Sequence, residues 1–385
     1  MWRAVASNAI TLLMVALFLL GGVILWGQSE YKAAGPLQEA ICLQVPRGST
    51  MARVSGDLQT QGAISNDVIF RLGADYTEKA QDLKAGSFLV PPGASMAEIV
   101  DIITRGGASS CGTEVVYRIG VARVTFELRE LDPATSRYVE KAEFDPAEGA
   151  MPEAFQQASA QAGTRHRVAL AEGVTSWQVV EGLKAIDLLQ GEVPELPAEG
   201  ALAPDSYEFQ AGDTRVEVLG RMAAAQDAIL AAAWEARAPG LPLSSPEEAL
   251  ILASIIEKET AVAEERRVVA SVFVNRLNRG MRLQTDPTVI YGITQGQGIL
   301  GRGLRQSELR RETPWNTYVI PALPPTPIAN PGRASIEAAL NPEQTDFVFF
   351  VADGTGGHVF AKTLAEHNAN VAKWRKIEAE RRVQD

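Results

Sequence analysis

The sequence is poor in the residues that most often hold metal ions. Its 385 residues include two cysteines, Cys42 and Cys111, and three histidines, His166, His358 and His367. Neither cysteine belongs to a C-x-x-C pair and the histidines are far apart, so the chain has no zinc-ligand spacing. We therefore expect no metal and no other cofactor.

The chain also lacks an excess of basic residues. It has 36 Lys and Arg against 47 Asp and Glu, which gives a net charge of −11 and a pI near 5.0. Because nucleic-acid phosphates call for clustered Lys and Arg, we expect no nucleic acid among the partners. A hydrophobic content of 46% is typical of a globular chain, and the length predicts two or three domains.

One long hydrophobic run lies near the N-terminus. Residues 9–27 read AITLLMVALFLLGGVILWG, which is 19 residues without a charge. As a helix this run is long enough to span ~30 Å of hydrocarbon. A secretory signal usually has a shorter apolar region, about 7–15 residues, followed by an A-x-A-like cleavage site that is not evident here. We therefore predict a transmembrane helix at 9–27, preceded by a cytoplasmic tail at 1–8.

The charges that flank this run favour one orientation only slightly. Arg3 and the α-amino group lie on the short side and Lys32 lies on the other. We place the N-terminus in the cytoplasm mainly because of the function that the remaining residues indicate. In an oxidising compartment Cys42 and Cys111 either form a disulfide or stay as buried thiols, and their spacing leaves both open.

A short pattern recurs three times between residues 37 and 211. An apolar strand end leads to a glycine, a Ser or Thr follows two residues later, and apolar residues at helical spacing come next. The glycine permits a tight turn, and the hydroxyl is suited to cap the following helix. The three copies are VPRGSTMARVSGDL from Val45, VPPGASMAEIVDII from Val90 and LAEGVTSWQVVEGL from Leu170.

These strand–helix units predict two small subdomains, at 37–110 and 111–212. Within the second, the segment 132–163 has little periodicity, and we interpret it as an exposed loop or a hairpin insertion. The strand–glycine–hydroxyl–helix pattern resembles a LysM glycan-binding module. A strand–turn–helix joint used only for packing has the same pattern, so both interpretations remain open.

A predicted buried helix carries one isolated carboxylate. Ser245 and Pro246 mark its start, and every residue of Ala249–Ile256 is apolar or small, so the helix is buried on nearly all sides. Glu257 follows on the same face as Ser254. Partial burial raises the pKa of a carboxyl group, as a general acid near neutral pH requires.

Two interpretations of Glu257 remain open on this pattern. It is a catalytic acid at the wall of a cavity, or it pairs with Arg266 or Arg267, since ion pairs also produce such placements. Glu259 lies about 200° away around the helix and cannot serve the same face.

Polar and aromatic residues collect in the segments after this helix. Asp286-Pro287 predicts an extended or turn backbone. Polar side chains around a rigid turn suit sugar hydroxyls, although Asp286 could equally cap the turn. The segment 322–332 is too rich in proline for a helix or a central strand, and we predict a stiff surface loop there. The candidates for sugar binding are Gln284, Asp286, Thr288, Tyr291, Asn316, Tyr318 and Asn330.

Five segments together resemble the endolytic murein transglycosylase family, also called YceG-like. Their order, spacing and content all fit across about residues 170–375, which makes the set far more specific than any one member. Trp315 is a departure, because the family pattern is expected to have Tyr there. The ring keeps a stacking role but offers no phenolic hydroxyl. The segments are LASIIEKET, ASVFVNRLNRGMRLQTDPTVIYG, TPWNTY, LPPTPIANPG and FVFFVADGTGGHVFAKTLAEHN.

The resemblance implies a lyase that acts on peptidoglycan. Such an enzyme cuts the MurNAc–GlcNAc β-1,4 bond of nascent glycan strands, leaves 1,6-anhydro-MurNAc ends and so terminates glycan elongation. The catalytic glutamate of the family falls on the first Glu of its E-K-E-T motif, here Glu257. The resemblance also implies peptidoglycan synthases as partners, an inner-membrane location with a cytoplasmic N-terminus, and a periplasmic catalytic domain.

The predicted fold class is α+β. It comprises the N-terminal transmembrane helix, LysM-like small α/β subdomains and a mixed α+β catalytic domain at 213–378. Two other functions remain open. One is a true hydrolase with Glu257 as acid and Asp286 as second carboxylate, since hydrolases usually need two. The other is a glycan-binding or scaffold protein of the cell wall without enzymatic activity.

Overall fold

The computed structural model describes residues 2–46, 48–105, 111–135, 137–161 and 163–384 and has the predicted mixed α+β composition. Two short 3-10 turns lie at Ala80–Asp82 and Ala263–Glu265. The helices are α1 Trp2–Lys32, α2 Met51–Thr60, α3 Asp67–Tyr76, α4 Met96–Thr104, α5 Glu153–Ala160, α6 Ser176–Lys184, α7 Arg215–Glu235, α8 Pro246–Glu259, α9 Arg266–Asn278, α10 Asp286–Thr294, α11 Gln306–Leu309, α12 Arg333–Leu340 and α13 Leu364–Gln384. The strands are β1 Ile41–Val45, β2 Gly86–Val90, β3 Thr113–Ile119, β4 Val124–Asp132, β5 Arg137–Phe144, β6 Arg165–Leu170, β7 Ser206–Phe209, β8 Phe349–Ala352 and β9 His358–Ala361.

Helix α1 carries the hydrophobic run. Within the part of the chain that the structure describes, it is the one helix long and apolar enough to cross a membrane, over Thr11–Lys32. Its large apolar side chains from Leu12 to Trp26 are exposed, as expected for a segment that contacts lipid. The predicted span at 9–27 therefore lies inside a longer helix, which is a candidate membrane span or signal sequence.

The chain packs into two compact units. The first unit comprises Met1–Val115, Glu127–Phe144 and Ala150–His166, and the second comprises Val116–Phe126, Asp145–Gly149 and Arg167–Asp385. Residues 167–212 thus pack with the second unit, whereas the sequence analysis grouped them with residues 111–166.

The first unit has a core between a small sheet and three helices. Strands β1 and β2 are antiparallel, with Leu43 opposite Phe88, and α2 and α3 connect them. Val54, Phe70 and Ile99 are completely buried against these strands and one another. Cys42 on β1 forms a disulfide with Cys111, 69 residues further along the chain, so of the two states left open the structure has the disulfide.

The recurring glycine–hydroxyl pattern folds as predicted. The side chains of Thr50, Ser95 and Thr175 are the N-caps of α2, α4 and α6, and each accepts a hydrogen bond from the backbone N–H three residues later. The preceding glycines all have positive φ, which explains why the turn uses glycine. These glycines are Gly48, Gly93 and Gly173, with φ of 77°, 68° and 79°.

A five-stranded sheet has the strand order β5-β4-β3-β6-β7. The segment 132–163, interpreted as a loop or hairpin insertion, contains β5, which lies beside β4, and the helix α5. Near the C-terminus β8 and β9 form a separate antiparallel pair, with Ala352 opposite His358.

The core of the second unit is centred on α8. Ser245 is the N-cap of this helix and Pro246 lies in its first turn, as predicted. Leu252, Ile255 and Ile256 are completely buried against α9 and α12. The half-buried Glu257 therefore marks the point at which α8 leaves the apolar core.

The Asp286-Pro287 backbone differs from the prediction. It is not an extended segment or isolated turn but the first turn of α10. Proline fits this position because the first helical residues have no intrahelical partner for their N–H groups, and its fixed φ suits the helix.

The proline-rich segment 322–332 also differs from the prediction. Ile328, Ala329 and Asn330 are buried, and the Ile328 N–H donates to the hydroxyl of Ser254 on α8 at 3.0 Å. The end of this segment is therefore part of the core of the second unit, not a surface loop.

Candidate active site

Glu257 is held by a backbone amide. Its Oε2 atom accepts a hydrogen bond of 3.0 Å from the N–H of Gly332, the residue that precedes α12. One carboxylate oxygen is therefore fixed in position by the backbone.

The two arginines considered as partners of Glu257 bind other groups. Arg266 forms an ion pair with Glu172, with 3.7 Å between Nη2 and Oε2. The Arg267 Nε atom donates to the carbonyl of Asn341 at 2.8 Å. The arrangement thus favours the interpretation in which Glu257 is free to meet a ligand.

Lys258 connects α8 to the segment that follows β6 through a hydrogen bond. Its Nζ atom donates to the carbonyl of Gly173 at 3.2 Å. Burial lowers the pKa of Lys258, while the negative charges of Glu257 and Glu199 act in the opposite direction. The ammonium group therefore adds positive charge next to the catalytic candidate.

Glu172 is a second carboxylate near Glu257 that the sequence analysis did not identify. Its side chain is 44% exposed. Burial, followed by the negative charge of Glu257, raises the pKa of Glu172, and Arg266 opposes the change. Its signal in the sequence was a glutamate directly before the turn glycine of the third pattern copy, LAEGVT.

Tyr291 lies between the half-buried carboxylate of Glu199 and an aromatic ring. Its hydroxyl interacts electrostatically with the carboxylate of Glu199, which accepts a 2.8 Å hydrogen bond from the N–H of Ser176. Burial raises the pKa of both Glu199 and Tyr291. The Tyr291 ring meets Trp315 edge to face, with 5.7 Å between ring centroids. Tyr291 and Trp315 therefore form one aromatic pair.

A separate polar group surrounds the start of α10. The hydroxyl of Tyr318 donates to Oδ1 of the exposed Asp286 at 2.7 Å. Glu259 accepts a hydrogen bond from the hydroxyl of Thr285. Burial, assisted by the charge of Asp286, raises the pKa of Glu259. Asp286 is thus electrostatically coupled to Glu259, which the sequence analysis placed on the face of α8 away from Glu257.

Three of the predicted sugar-binding residues are buried and bound within the protein. Thr288 shares a 2.9 Å hydrogen bond with Thr317. Asn316 donates to three backbone carbonyls of the preceding segment. Asn330 accepts from the N–H of Leu202 at 2.9 Å and donates to a further carbonyl. Because their polar atoms are occupied, these side chains stabilise the surrounding loops. The candidates that a sugar can reach are then Gln284, Asp286, Tyr291 and Tyr318.

The chain is similar to named proteins over most of its length. An endolytic murein transglycosylase of Bacillus subtilis is 27% identical over 360 residues, covering 92% of this chain and 91% of that protein. One from Streptococcus pneumoniae serotype 2 is 29% identical over 340 residues; the match covers 86% of this chain and 58% of that longer protein.

The chain is also similar to a solved structure and matches one family model. A crystal structure of a yceG-like protein from Listeria monocytogenes has 26% sequence identity and a TM-score of 0.46, covering 86% of this chain and 99% of that one. The model of the YceG-like family matches residues 43–373, which include Glu257 and every other candidate residue of the site. The chain therefore belongs to the YceG-like family.

Proposed function

We propose that this protein is a lytic transglycosylase of peptidoglycan in which Glu257 is the catalytic acid and base. The observation that carries the proposal is the placement of Glu257. It ends a buried helix, and the Gly332 amide orients one of its two oxygens. Relatives over most of the chain are named endolytic murein transglycosylases, which supports the same substrate.

In the proposed reaction, protonated Glu257 donates its proton to the oxygen of a MurNAc–GlcNAc β-1,4 bond in a nascent glycan strand. The bond between this oxygen and C1 of MurNAc breaks, and positive charge develops at C1 and the ring oxygen. The Glu257 carboxylate then accepts the proton of the C6 hydroxyl of the same MurNAc, whose oxygen bonds to C1. The product is a 1,6-anhydro end, no water is consumed, and one carboxylate performs both proton transfers.

The reachable polar and aromatic groups supply binding. Asp286 and Tyr318 form a fixed donor–acceptor pair, and the ring of Tyr291 is oriented by its edge-to-face contact with Trp315. Aromatic faces and carboxylates are suited to the apolar faces and hydroxyl groups of sugars.

Product analysis tests the proposal. Purified wild-type protein and the Glu257→Gln variant are incubated with peptidoglycan sacculi, and the fragments are identified by mass spectrometry. We expect anhydro-MurNAc ends from the wild type and a rate lower by at least about a hundredfold in the variant, since loss of a general acid has effects of 10²–10⁴. Glu247→Gln, a substitution of an exposed residue on the same helix, serves as the matched control with unchanged rate.

Two other outcomes of this assay would indicate a hydrolase or a scaffold protein instead. Reducing ends without anhydro-MurNAc would indicate a hydrolase, and the Asp286→Asn variant would then test its second carboxylate. A wild-type protein that binds sacculi and releases no fragments would indicate a scaffold.

We further propose that the protein is anchored in the inner membrane by α1, with the N-terminus in the cytoplasm, the catalytic domain in the periplasm and peptidoglycan synthases nearby. The exposed apolar side chains of α1 support the anchor. The disulfide between Cys42 and Cys111 supports an oxidising compartment, because cytosolic thiols are kept reduced. Protease treatment of spheroplasts is expected to degrade the catalytic domain, and its protection would contradict this topology.

The segment 37–110 is proposed to act as the LysM-like glycan-binding subdomain. Two observations support this proposal. The segment has two helices between antiparallel strands, and it has a cavity of about 430 Å³ lined by Thr50, Arg71, Asp75 and Gln81. The Arg71→Ala variant should bind sacculi more weakly in a co-sedimentation assay performed with the inactive Glu257→Gln protein. If the Arg71→Ala/Glu257→Gln protein binds sacculi as well as the Glu257→Gln protein, the strand–turn–helix pattern of this segment serves packing only.

A further inference from the structure

The turn that follows β6 is fixed to the two segments that carry the site. The N–H of Gly173 donates to the carbonyl of Asn330 at 2.9 Å, and the N–H of Asn330 donates to the carbonyl of Val174 at 2.8 Å. The side chain of Lys258 holds the same turn through the carbonyl of Gly173. The residue before this turn, Glu172, is therefore held in a defined position near the end of α8.

Glu172 lies directly against Gly332. A Cβ atom at position 332 would lie 1.8 Å from Oε1 of Glu172, which is about half an ordinary contact distance. The φ of this residue is −72°, which any amino acid adopts, so a side chain here would not strain the backbone but would force the end of the Glu172 side chain to move. The absence of a side chain at Gly332 is what admits the carboxylate of Glu172.

The same glycine holds Glu257 through its N–H group. The carboxylates of Glu172 and Glu257 thus both lie next to Gly332. Oε1 of Glu172 is 1.8 Å from the Cβ position of this residue, and Oε2 of Glu257 is 3.0 Å from its N atom. With ordinary bond lengths the two oxygens are therefore within about 7 Å of each other. Burial, and after it the negative charge of Glu257, raises the pKa of Glu172, so the two charges act on each other. Arg266, 3.7 Å from Glu172, favours its ionised form.

We propose that Glu172 is a second functional carboxylate of the active site, whose negative charge stabilises the positive charge that develops on the reacting sugar. It neither donates nor accepts a proton in the reaction, so the proton transfers by Glu257 are unchanged. Its half-exposed side chain is open to a ligand, and Lys258 and Arg266 partly balance the two negative charges. This inference rests on the proposed transglycosylase function and extends it.

The first experiment removes the charge and keeps the shape. In the full-length protein, Glu172→Gln should lower kcat on sacculi by roughly ten- to fiftyfold. This is the effect of one charge, in an effective dielectric near 20, on a sugar carbon ~7 Å away, a distance taken equal to the separation of Glu172 from Glu257. KM and the thermal melting temperature should stay close to the wild-type values, because a transition-state charge effect acts on kcat.

A matched control is available in the same unit. Glu181 on α6 is 43% exposed and pairs with Lys184 at 2.7 Å, which resembles the exposure and ion pairing of Glu172. Glu181→Gln should leave kcat within about twofold of wild type, as expected for an exposed pair away from a site. A kcat for Glu172→Gln within the range of this control would overturn the proposal.

A double-mutant cycle of Gly332→Ala and Glu172→Ala tests the contact between Gly332 and Glu172. Gly332→Ala keeps the N–H that holds Glu257 but displaces the Glu172 carboxylate, so kcat should fall as it does in Glu172→Ala. The double variant should be no slower than Glu172→Ala, because both changes remove the same group. Additive losses would show that residue 332 acts independently of Glu172 and would refute the inference.

The product analysis separates this inference from the proposed function. Anhydro-MurNAc ends from the wild type, together with an inactive Glu257→Gln variant, support the transglycosylase whatever Glu172 does. Full activity of Glu172→Gln in the same assay overturns only the role of Glu172. A wild-type protein without anhydro products overturns the proposed function itself.

Discussion

Removal of the disulfide between Cys42 and Cys111 is expected to destabilise the first unit by about 4 kcal/mol. The bond closes a loop of 69 residues that contains β1, β2 and the helices α2–α4. A loop of this length loses about 15 cal/mol/K of chain entropy in the unfolded state when it is closed, or about 4.4 kcal/mol at 25 °C. The unfolded chain recovers this entropy once the bond is gone.

Hydrogen exchange on the Cys42→Ala/Cys111→Ala variant measures the effect where it occurs. Amides of α2 and α4 whose exchange requires unfolding of the first unit should lose protection by about a thousandfold relative to the oxidised wild type, which corresponds to about 4 kcal/mol. Wild-type protein treated with a reducing agent is the control, because it breaks the same bond without a substitution. Protection that remains within about fivefold of the oxidised wild type in both samples would refute the loop-entropy reasoning.

Three further substitutions have expected outcomes. Burial lowers the pKa of His166 to about 4, so the unfolded state binds more protons than the folded state below about pH 6.5. The free energy of unfolding should therefore fall by about 3 kcal/mol as the pH falls from about 6.5 to about 4. His166→Gln should remove this pH dependence of the melting temperature, and an unchanged pH dependence would show that His166 does not cause it. Asn330→Ala leaves a buried N–H of Leu202 without its acceptor, and should cost about 3 kcal/mol in urea unfolding, whereas a cost below about 1 kcal/mol would show that the loop rearranges. Tyr318→Phe removes the hydroxyl bound to Asp286 and should raise KM on sacculi with little change in kcat; a fall in kcat at constant KM would instead give Tyr318 a role in the chemical step.

The parts of the fold that were predictable depend on residues close in sequence. The caps Thr50, Ser95 and Thr175, with the glycines before them, form local hydrogen bonds that a window of six residues contains. The start of α8 at Ser245 and the placement of Glu257 at the end of its apolar run follow from the same kind of local pattern. Such features are set by the backbone groups that each helix end leaves unsatisfied.

The features that were not predictable depend on contacts between distant segments. The burial of Asn330 arises from its pairing with Val174, 156 residues earlier, and nothing in a proline-rich composition indicates this partner. Thr288 was a candidate for sugar binding because polar side chains around a rigid turn suit sugar hydroxyls, whereas the first turn of α10 directs its hydroxyl to the carbonyl of Thr285. The sequence pattern did not indicate Glu172 for the same reason, since its proposed role depends on its contact with Gly332, 160 residues later.

Gly332 contacts the carboxylates of Glu257 and Glu172 through different atoms, so substitutions of Gly332 can separate the two contacts. Its N–H orients Glu257, and every residue except proline supplies that group. Its missing Cβ admits Glu172, and every residue except glycine removes that space. Since a φ of −72° also suits proline, Gly332→Pro should lose both interactions while Gly332→Ala loses only the second. We expect the proline variant to have a kcat lower than the alanine variant by about ten- to a hundredfold, the value of a hydrogen bond to a charged group. Equal rates in two variants of equal melting temperature would mean that the Gly332 amide does not orient Glu257 in the reaction.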